Sequence, residues 1–267
     1  MIGASEHNRV DGLLISRPWP VVEGNQKNDV LLRRRRKALK NPDKWRQQVK
    51  LLTSLIEARC RRPARVLDVA CGTGFRLLEL ANLEFNTTGV EIDPNLCELT
   101  NAAAAHFDLN ARSICGDACA IPLADSSFDV VMSKSFFEHV YDRDLALGQQ
   151  IRVLKPGGLL IIQDGNMLNP KTLLDLLFRY PIRSRGQYGG LKWLFSKGKV
   201  HRNLYGYLPQ GRDEDVKTVM WWRKRLSGFR NLRIIEVVGS GKYTHPGLPS
   251  VFHPFVGSCL ALAERVH

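Results

Sequence analysis

Residues Val66 to Gly74 read VLDVACGTG, a short apolar and β-branched run that carries Asp68 and then breaks into Gly72-Thr73-Gly74. The run RLLELAN follows at once with helical spacing. A buried strand that turns through glycines into a helix brings bare backbone close to whatever lies above it. The helix N-terminus adds unpaired N–H groups at the same place. Dinucleotide enzymes use this geometry through G-x-G-x-x-G. Here Gly72-Thr73-Gly74-Phe75-Arg76-Leu77 puts leucine at the third glycine position, which counts against a nicotinamide cofactor.

Outward from this turn the chain alternates strands and helices. RVLDVA (65–70), TTGVEI (87–92), ARSICGDA (111–118), SFDVVMSK (127–134) and LLIIQD (159–164) read as five strands. Helical stretches separate them, with Lys155-Pro156-Gly157-Gly158 as a turn before the fifth. This alternation predicts a parallel sheet with crossover helices. LRIIEVVG (232–239) and SCLALAERV (258–266) supply two more strands, and Asp213 to Ser227 a helix. Its Trp221 and Trp222 are expected to pack rather than bind.

Upstream, residues 1–28 read as an irregular arm. From there DVLLRRRRKALK runs past Pro42 into DKWRQQVKLLTSLIEARC, where Trp45, Val49, Leu52, Leu55 and Ile56 recur at helical spacing, with Asp43 as cap or first-turn acid. The domain reading is an arm and helical cap over 1–62, a core over 63–165, a substrate-side insertion over 166–211 and a completion of the sheet over 212–267.

The 267 residues carry 39 Lys and Arg against 26 Asp and Glu, a net charge of +13. It is unevenly spread: 15 against 6 over residues 1–62, 7 against 14 over 63–166, and 17 against 6 over 167–267. An anionic partner would therefore meet the flanks rather than the acidic middle. Arg33 to Lys37 (RRRRK) suits phosphate, and 183–207 interleaves basic and aromatic residues as single-strand binders do. The same features also describe a solvated face and an apolar lid with basic edges. No apolar run reaches the ~18 residues of a membrane span, which leaves peripheral membrane contact open. The six cysteines lack the spacing of a disulfide framework or a zinc site. A cytoplasmic enzyme is the expectation.

The chain resembles the class I S-adenosylmethionine-dependent methyltransferases, whose acid-x-Gly-x-Gly-x-Gly loop is matched as Asp68-x-Ala70-x-Gly72-x-Gly74, around Thr73. The resemblance covers about 63–165 and extends loosely to the last strands. It implies a Rossmann-like, doubly wound seven-stranded sheet, mostly parallel, in the order 3-2-1-4-5-7-6 with an antiparallel seventh strand. It implies S-adenosylmethionine as cofactor and S-adenosylhomocysteine as product. By the family pattern Glu91 accepts from the ribose hydroxyls, with Ile92 beside it, and Asp117 accepts from the adenine amino group next to Ala118. Ser133 and Lys134 fall near the methionine end. Each acid alone also fits a solvated strand end or a turn cap.

Glu138-His139 matches the end of a Glu-x-x-Glu-His metal site found in some relatives, but Ser135 stands where the first glutamate belongs. No metal is expected. For His139 the favoured reading is a residue filling or edging a helix after strand four; it is also the candidate general base, its imidazole suiting proton removal near neutrality. His201, His245 and His253 could serve as the base equally. Adenine-amine methyltransferases carry an Asp/Asn-Pro-Pro-aromatic motif after strand four, and cytosine-C5 enzymes a Pro-Cys pair, and neither occurs here. The expected reaction is direct in-line methyl transfer to a small-molecule or lipid-like acceptor. An RNA acceptor and a non-catalytic binding module are the alternatives. Oligomeric state is not encoded in any feature of the sequence.

Overall fold

The computed structural model describes residues 17–166, 169, 170, 174, 177, 178, 218–240 and 258–266. Two helices come first, α1 (Asn28–Leu39) and α2 (Pro42–Glu57). Asn41, not Asp43, caps α2: its side chain accepts the Lys44 N–H at 3.3 Å. Pro42 takes the first helical position, where the missing N–H costs nothing. Asp43 is a first-turn acid, 3.1 Å from Arg46.

The alternating region follows as β1 (Arg65–Val69), α3 (Phe75–Asn82), β2 (Asn86–Glu91), α4 (Pro94–His106), β3 (Ala111–Cys115), β4 (Phe128–Lys134), α5 (Arg143–Val153) and β5 (Leu154–Asp164). Then come α6 (Val219–Leu226), β6 (Leu232–Gly239) and β7 (Cys259–Arg265). All seven strands form one sheet in the order β3-β2-β1-β4-β5-β7-β6. β1, β2 and β3 are parallel and β6 and β7 antiparallel, as expected. Winding reverses between β1 and β4, the place where open α/β sheets bind ligands at their strands' carboxyl ends.

Several boundaries differ from the sequence reading; the third strand, for one, ends at Cys115 rather than at Ala118. β5 begins at Leu154, so Lys155 to Gly158 belong to the strand rather than to a turn. Gly157 takes φ +76°, and a side chain on Gly158 would stand 2.8 Å from the Lys155 carbonyl. α6 begins only at Val219, because Thr218 is extended and caps it through Trp221 N–H at 3.1 Å.

The chain groups into two compact units, one of Met1–Met132 with Gly148–Leu159, the other of Ser133–Leu147 with Leu160–His267. In the first, Val66, Leu67, Asp68 and Val69 are wholly buried, as a parallel strand covered on both faces requires. Residues 17–27 form no helix or strand until α1, yet they are tied down. Trp19 is buried with Leu31 among Phe75, Leu78, Leu99 and Phe107, its ring centroid 4.2 Å from that of Phe75. Burying an indole of this size stabilises the fold by roughly 2 to 3 kcal/mol. Asn25 donates to the Asn95 carbonyl at 2.9 Å and to Glu98 at 2.7 Å, and Lys27 lies 3.1 Å from Asp93. The arm thus follows no period because it is held by single side chains.

In the second unit Trp222 is buried edge-on against Phe137, with ring centroids 4.9 Å apart. Arg225 pairs with Asp144. Among the described residues no helix is long and apolar enough to cross a membrane. The insertion expected over 166–211 lies outside the described residues apart from 166, 169, 170, 174, 177 and 178, as do the basic-aromatic stretch, His201, His245 and His253.

Candidate functional site

β1 ends in a turn with alternate residues in the left-handed region: Ala70 at φ 57°, Gly72 at φ 60° and Gly74 at φ 72°. Such backbone suits glycine, so Ala70 is the strained member. Gly74 is needed twice over, because a Cβ there would lie 2.4 Å from Thr100 Cγ2 and 2.7 Å from its Oγ1. Thr100 in turn donates to the Leu96 carbonyl at 2.9 Å. On β2, a Cβ at Gly89 would meet Cys71 Sγ at 2.5 Å, so the strand leaves room for that thiol. Burial, with Asp68 nearby, pushes the Cys71 thiol well above its usual range, which keeps it protonated and unreactive.

Asp68 is fully buried and accepts from Arg76 Nη2 at 2.8 Å. Thr73, in the turn itself, is also buried. Arg34 reaches the same turn from α1. Its Nη1 is 3.5 Å from Thr73 Oγ1, and a Cβ on Gly72 would lie 3.2 Å from it.

Glu91, at the end of β2, ties the next loop to the turn. Its Oε2 accepts the Gly72 N–H at 2.8 Å, while Oε1 accepts from Ile92 at 2.9 Å and Asp93 at 3.2 Å. Burial pushes this carboxyl up, against the lowering effect of those three N–H groups. Ile92 beside it is 49% exposed, unusual for an isoleucine. Beyond β3, the Gly116 N–H reaches the Glu91 carbonyl at 2.9 Å, placing the next residues alongside. Asp117 accepts the Cys119 N–H at 2.8 Å, and Ala118 is buried. Arg152 braces this loop by donating to the carbonyls of Ile121 at 2.7 Å and Leu123 at 2.8 Å.

The structure therefore gathers Asp68, Ala70, Gly72, Thr73, Gly74, Glu91, Ile92, Asp117 and Ala118 along the carboxyl ends of three neighbouring parallel strands. Ser133, Lys134 and His139 fall in the second unit. Ser133 is buried, and among the described residues its hydroxyl has no hydrogen-bond partner. His139 sits in a turn, not on a helix: its N–H reaches the Phe136 carbonyl at 2.8 Å, and its Nε2 is 3.4 Å from Glu138 Oε1. Asp164, at the end of β5, accepts the Phe136 N–H at 3.0 Å. Burial pushes its carboxyl up to about 8, with the Glu138 carboxylate adding to the effect. Among the described residues no three His, Cys, Asp or Glu side chains are grouped to hold a metal.

Three residues escaped the sequence reading. Arg34 is one of four successive arginines, and nothing local distinguishes it. Arg76 looks like an ordinary helix residue. Asp164 had a usable signal, an acid closing an otherwise apolar strand at the sheet's carboxyl edge.

Residues 67–162 match the family model described as "Methyltransferase domain". The chain is 28% identical over 214 residues to a demethylmenaquinone methyltransferase of Staphylococcus aureus, covering 76% of this chain and 81% of that one. Its fold is similar to that of a SAM-dependent methyltransferase structure from Methanosarcina mazei, with TM-score 0.55 and 21% identity over 79% of this chain and 97% of the other. A SAM-dependent methyltransferase from Aquifex aeolicus superposes with TM-score 0.52 and 16% identity, covering 82% and 97%. Strand order, glycine turn and family model agree: residues 67–162 are similar to a methyltransferase domain, and the fold is that of the class I S-adenosylmethionine-dependent methyltransferases.

Proposed function

We propose that the chain methylates a small-molecule or lipid-like acceptor by direct in-line transfer, with the cofactor held along the turn from Asp68 to Gly74 and the ends of β2 and β3. The carrying observation is the Glu91 carboxylate. A carboxylate has about four acceptor sites, and backbone N–H groups take three of them. That leaves one on Oε2, the oxygen that also accepts the Gly72 N–H, for a ribose hydroxyl.

The residues fit the cofactor. Gly72 and Gly74 leave the turn without side chains, Ile92 offers an apolar surface to adenine, and Asp117 with Ala118 adjoins it. When bound, the cofactor supplies a methyl group activated by its sulfonium. The chain's residues then orient the reactants and exclude water. Where the acceptor must lose a proton, His139 is the base in this reading, and Glu138 beside it stabilises the imidazolium. The acceptor class is supported by the similarity to demethylmenaquinone methyltransferases. A cytoplasmic location fits the six free thiols.

Calorimetry with S-adenosylmethionine tests the cofactor site: Glu91→Ala should abolish micromolar binding. Labelled-methyl transfer into lipid, small-metabolite and RNA fractions tests the acceptor, and label confined to RNA would overturn this reading. His139→Gln should lower kcat while leaving cofactor affinity intact. Loss of activity in EDTA would contradict a metal-free reaction.

A further inference from the structure

The two faces of α1 are unlike. Leu31 is buried in the core cluster and Ala38 packs against it, which fixes the inner face. On the opposite side Arg33, Arg36, Lys37 and Lys40 are all exposed. At 3.6 residues per turn these four fall within an arc of about 100°. Lys40 is the C-cap but keeps helical backbone, so it continues the row. Leu32 and Leu39 run along one edge of the arc, and Leu39 is 42% exposed.

This array works against the helix that carries it. Like charges three and four residues apart repel, and Arg33–Arg36, Arg33–Lys37 and Arg36–Lys40 are all such pairs. Complementing the macrodipole accounts for Arg36 and Lys37 in the last turn, but not for Arg33. Asp29, in the first turn, is the one acid of α1. Among the described residues no ion pair or side-chain hydrogen bond holds any of the four cations.

We propose that this outer face of α1 docks the protein on an anionic phospholipid surface. Charge complementarity carries the proposal: a row of unpaired cations meets a layer of phosphates, which relieves the repulsion within the row. Leu39, between Lys37 and Lys40, gains by entering the headgroup region while its neighbours pair with lipid phosphates. A single-stranded RNA would need exposed rings on which its bases stack. The rings next to α1 are turned inward instead: Trp19 is buried on Phe75, and Trp45 stands edge-on to the same ring. The proposal goes beyond the acceptor class assigned above and does not depend on it.

Co-sedimentation of the full chain with vesicles of phosphatidylcholine, alone or mixed with phosphatidylglycerol, provides the test. Wild type should sediment with the mixed vesicles and not with the neutral ones. Raising salt from about 0.1 M to about 1 M should release it, since the screening length falls from about 10 Å to about 3 Å. Each basic residue near an anionic surface contributes roughly fivefold in binding, so Arg36→Gln with Lys37→Gln should weaken it about 25-fold. Leu39→Gln should weaken it about threefold. Arg59→Gln with Arg61→Gln removes the same charge from exposed positions beyond α2, and should change binding by less than about threefold. Equal losses from the two charge pairs would mean that net charge alone attracts the vesicles, and the proposal fails. It fails also if wild type does not distinguish mixed from neutral vesicles, a comparison that needs no variant. Finally, it fails if the α1 pair weakens binding to a single-stranded RNA while sparing the vesicles, which would give the face to nucleic acid.

Discussion

Across the glycine turn, the wholly buried Asp68 carboxylate receives the Arg76 guanidinium at 2.8 Å. The acid closes β1 and the arginine opens α3, so one ion pair clamps the strand to the helix on either side of the turn. Removing one partner strands a charge in the interior, whereas removing both does not. Arg76→Met should therefore cost about 3 kcal/mol in urea unfolding, and adding Asp68→Asn should recover most of it. Additive losses in the double variant would show that the pair is not coupled.

Ala70 holds a left-handed conformation at φ 57°. Glycine removes that strain, worth about 1 to 2 kcal/mol, and costs somewhat under about 1 kcal/mol in chain entropy. Ala70→Gly should raise the urea midpoint slightly, by up to about 1 kcal/mol of stability, while Ala70→Val lowers it. A destabilised Ala70→Gly would mean that the methyl group contributes contacts outweighing the strain.

Gly74→Ala should destabilise the fold by about 2 kcal/mol or more, through its positive φ and through collision with Thr100. The two causes separate in a double-mutant cycle. Thr100→Ala removes the Cγ2 and Oγ1 atoms that the new methyl meets at 2.4 and 2.7 Å, so it should rescue part of the loss. No rescue would leave the backbone conformation as the whole effect.

Asp164 makes stability depend on pH. In the folded protein its carboxyl titrates at about 8, against an ordinary 3.8. A raised value means that the folded state holds a proton the unfolded chain has released. Its stabilising contribution is thus complete below about pH 4 and is withdrawn as pH rises to about 8. Asp164→Asn keeps an oxygen for the Phe136 N–H but does not titrate. Between pH 5 and pH 8, wild type should lose stability relative to this variant, by unfolding midpoints at fixed pH. Parallel profiles would show that Asp164 is ionised in the folded protein.

Much of the candidate site was legible because its signals are local. Asp68, Glu91 and Asp117 each stand at or just past the carboxyl end of a strand, and strand ends can be read from hydrophobic period and the turn residues after them. Asp117 also illustrates the limit of that reading. Its carboxylate caps its own turn through Cys119, so position alone does not separate a ligand acceptor from a capping residue. Where boundaries were misread, a single side chain or backbone angle decided: Asn41 caps α2, Thr218 delays α6, and Gly157 lets β5 start before its apolar run.

By itself, then, the sequence determined the alternation of strands and helices, the glycine turn at VLDVACGTG and the acids that follow each strand. These depend on spacing along the chain and on the conformational range of individual residues. Only the tertiary structure decided which of four identical arginines leans on Gly72, which arginine neutralises Asp68, and why Gly74 tolerates nothing larger. The reason is physical. Long, flexible side chains find partners across the fold, and the neighbour that excludes a methyl group at Gly74 lies on another helix. Such contacts exist only once helices have packed on the sheet.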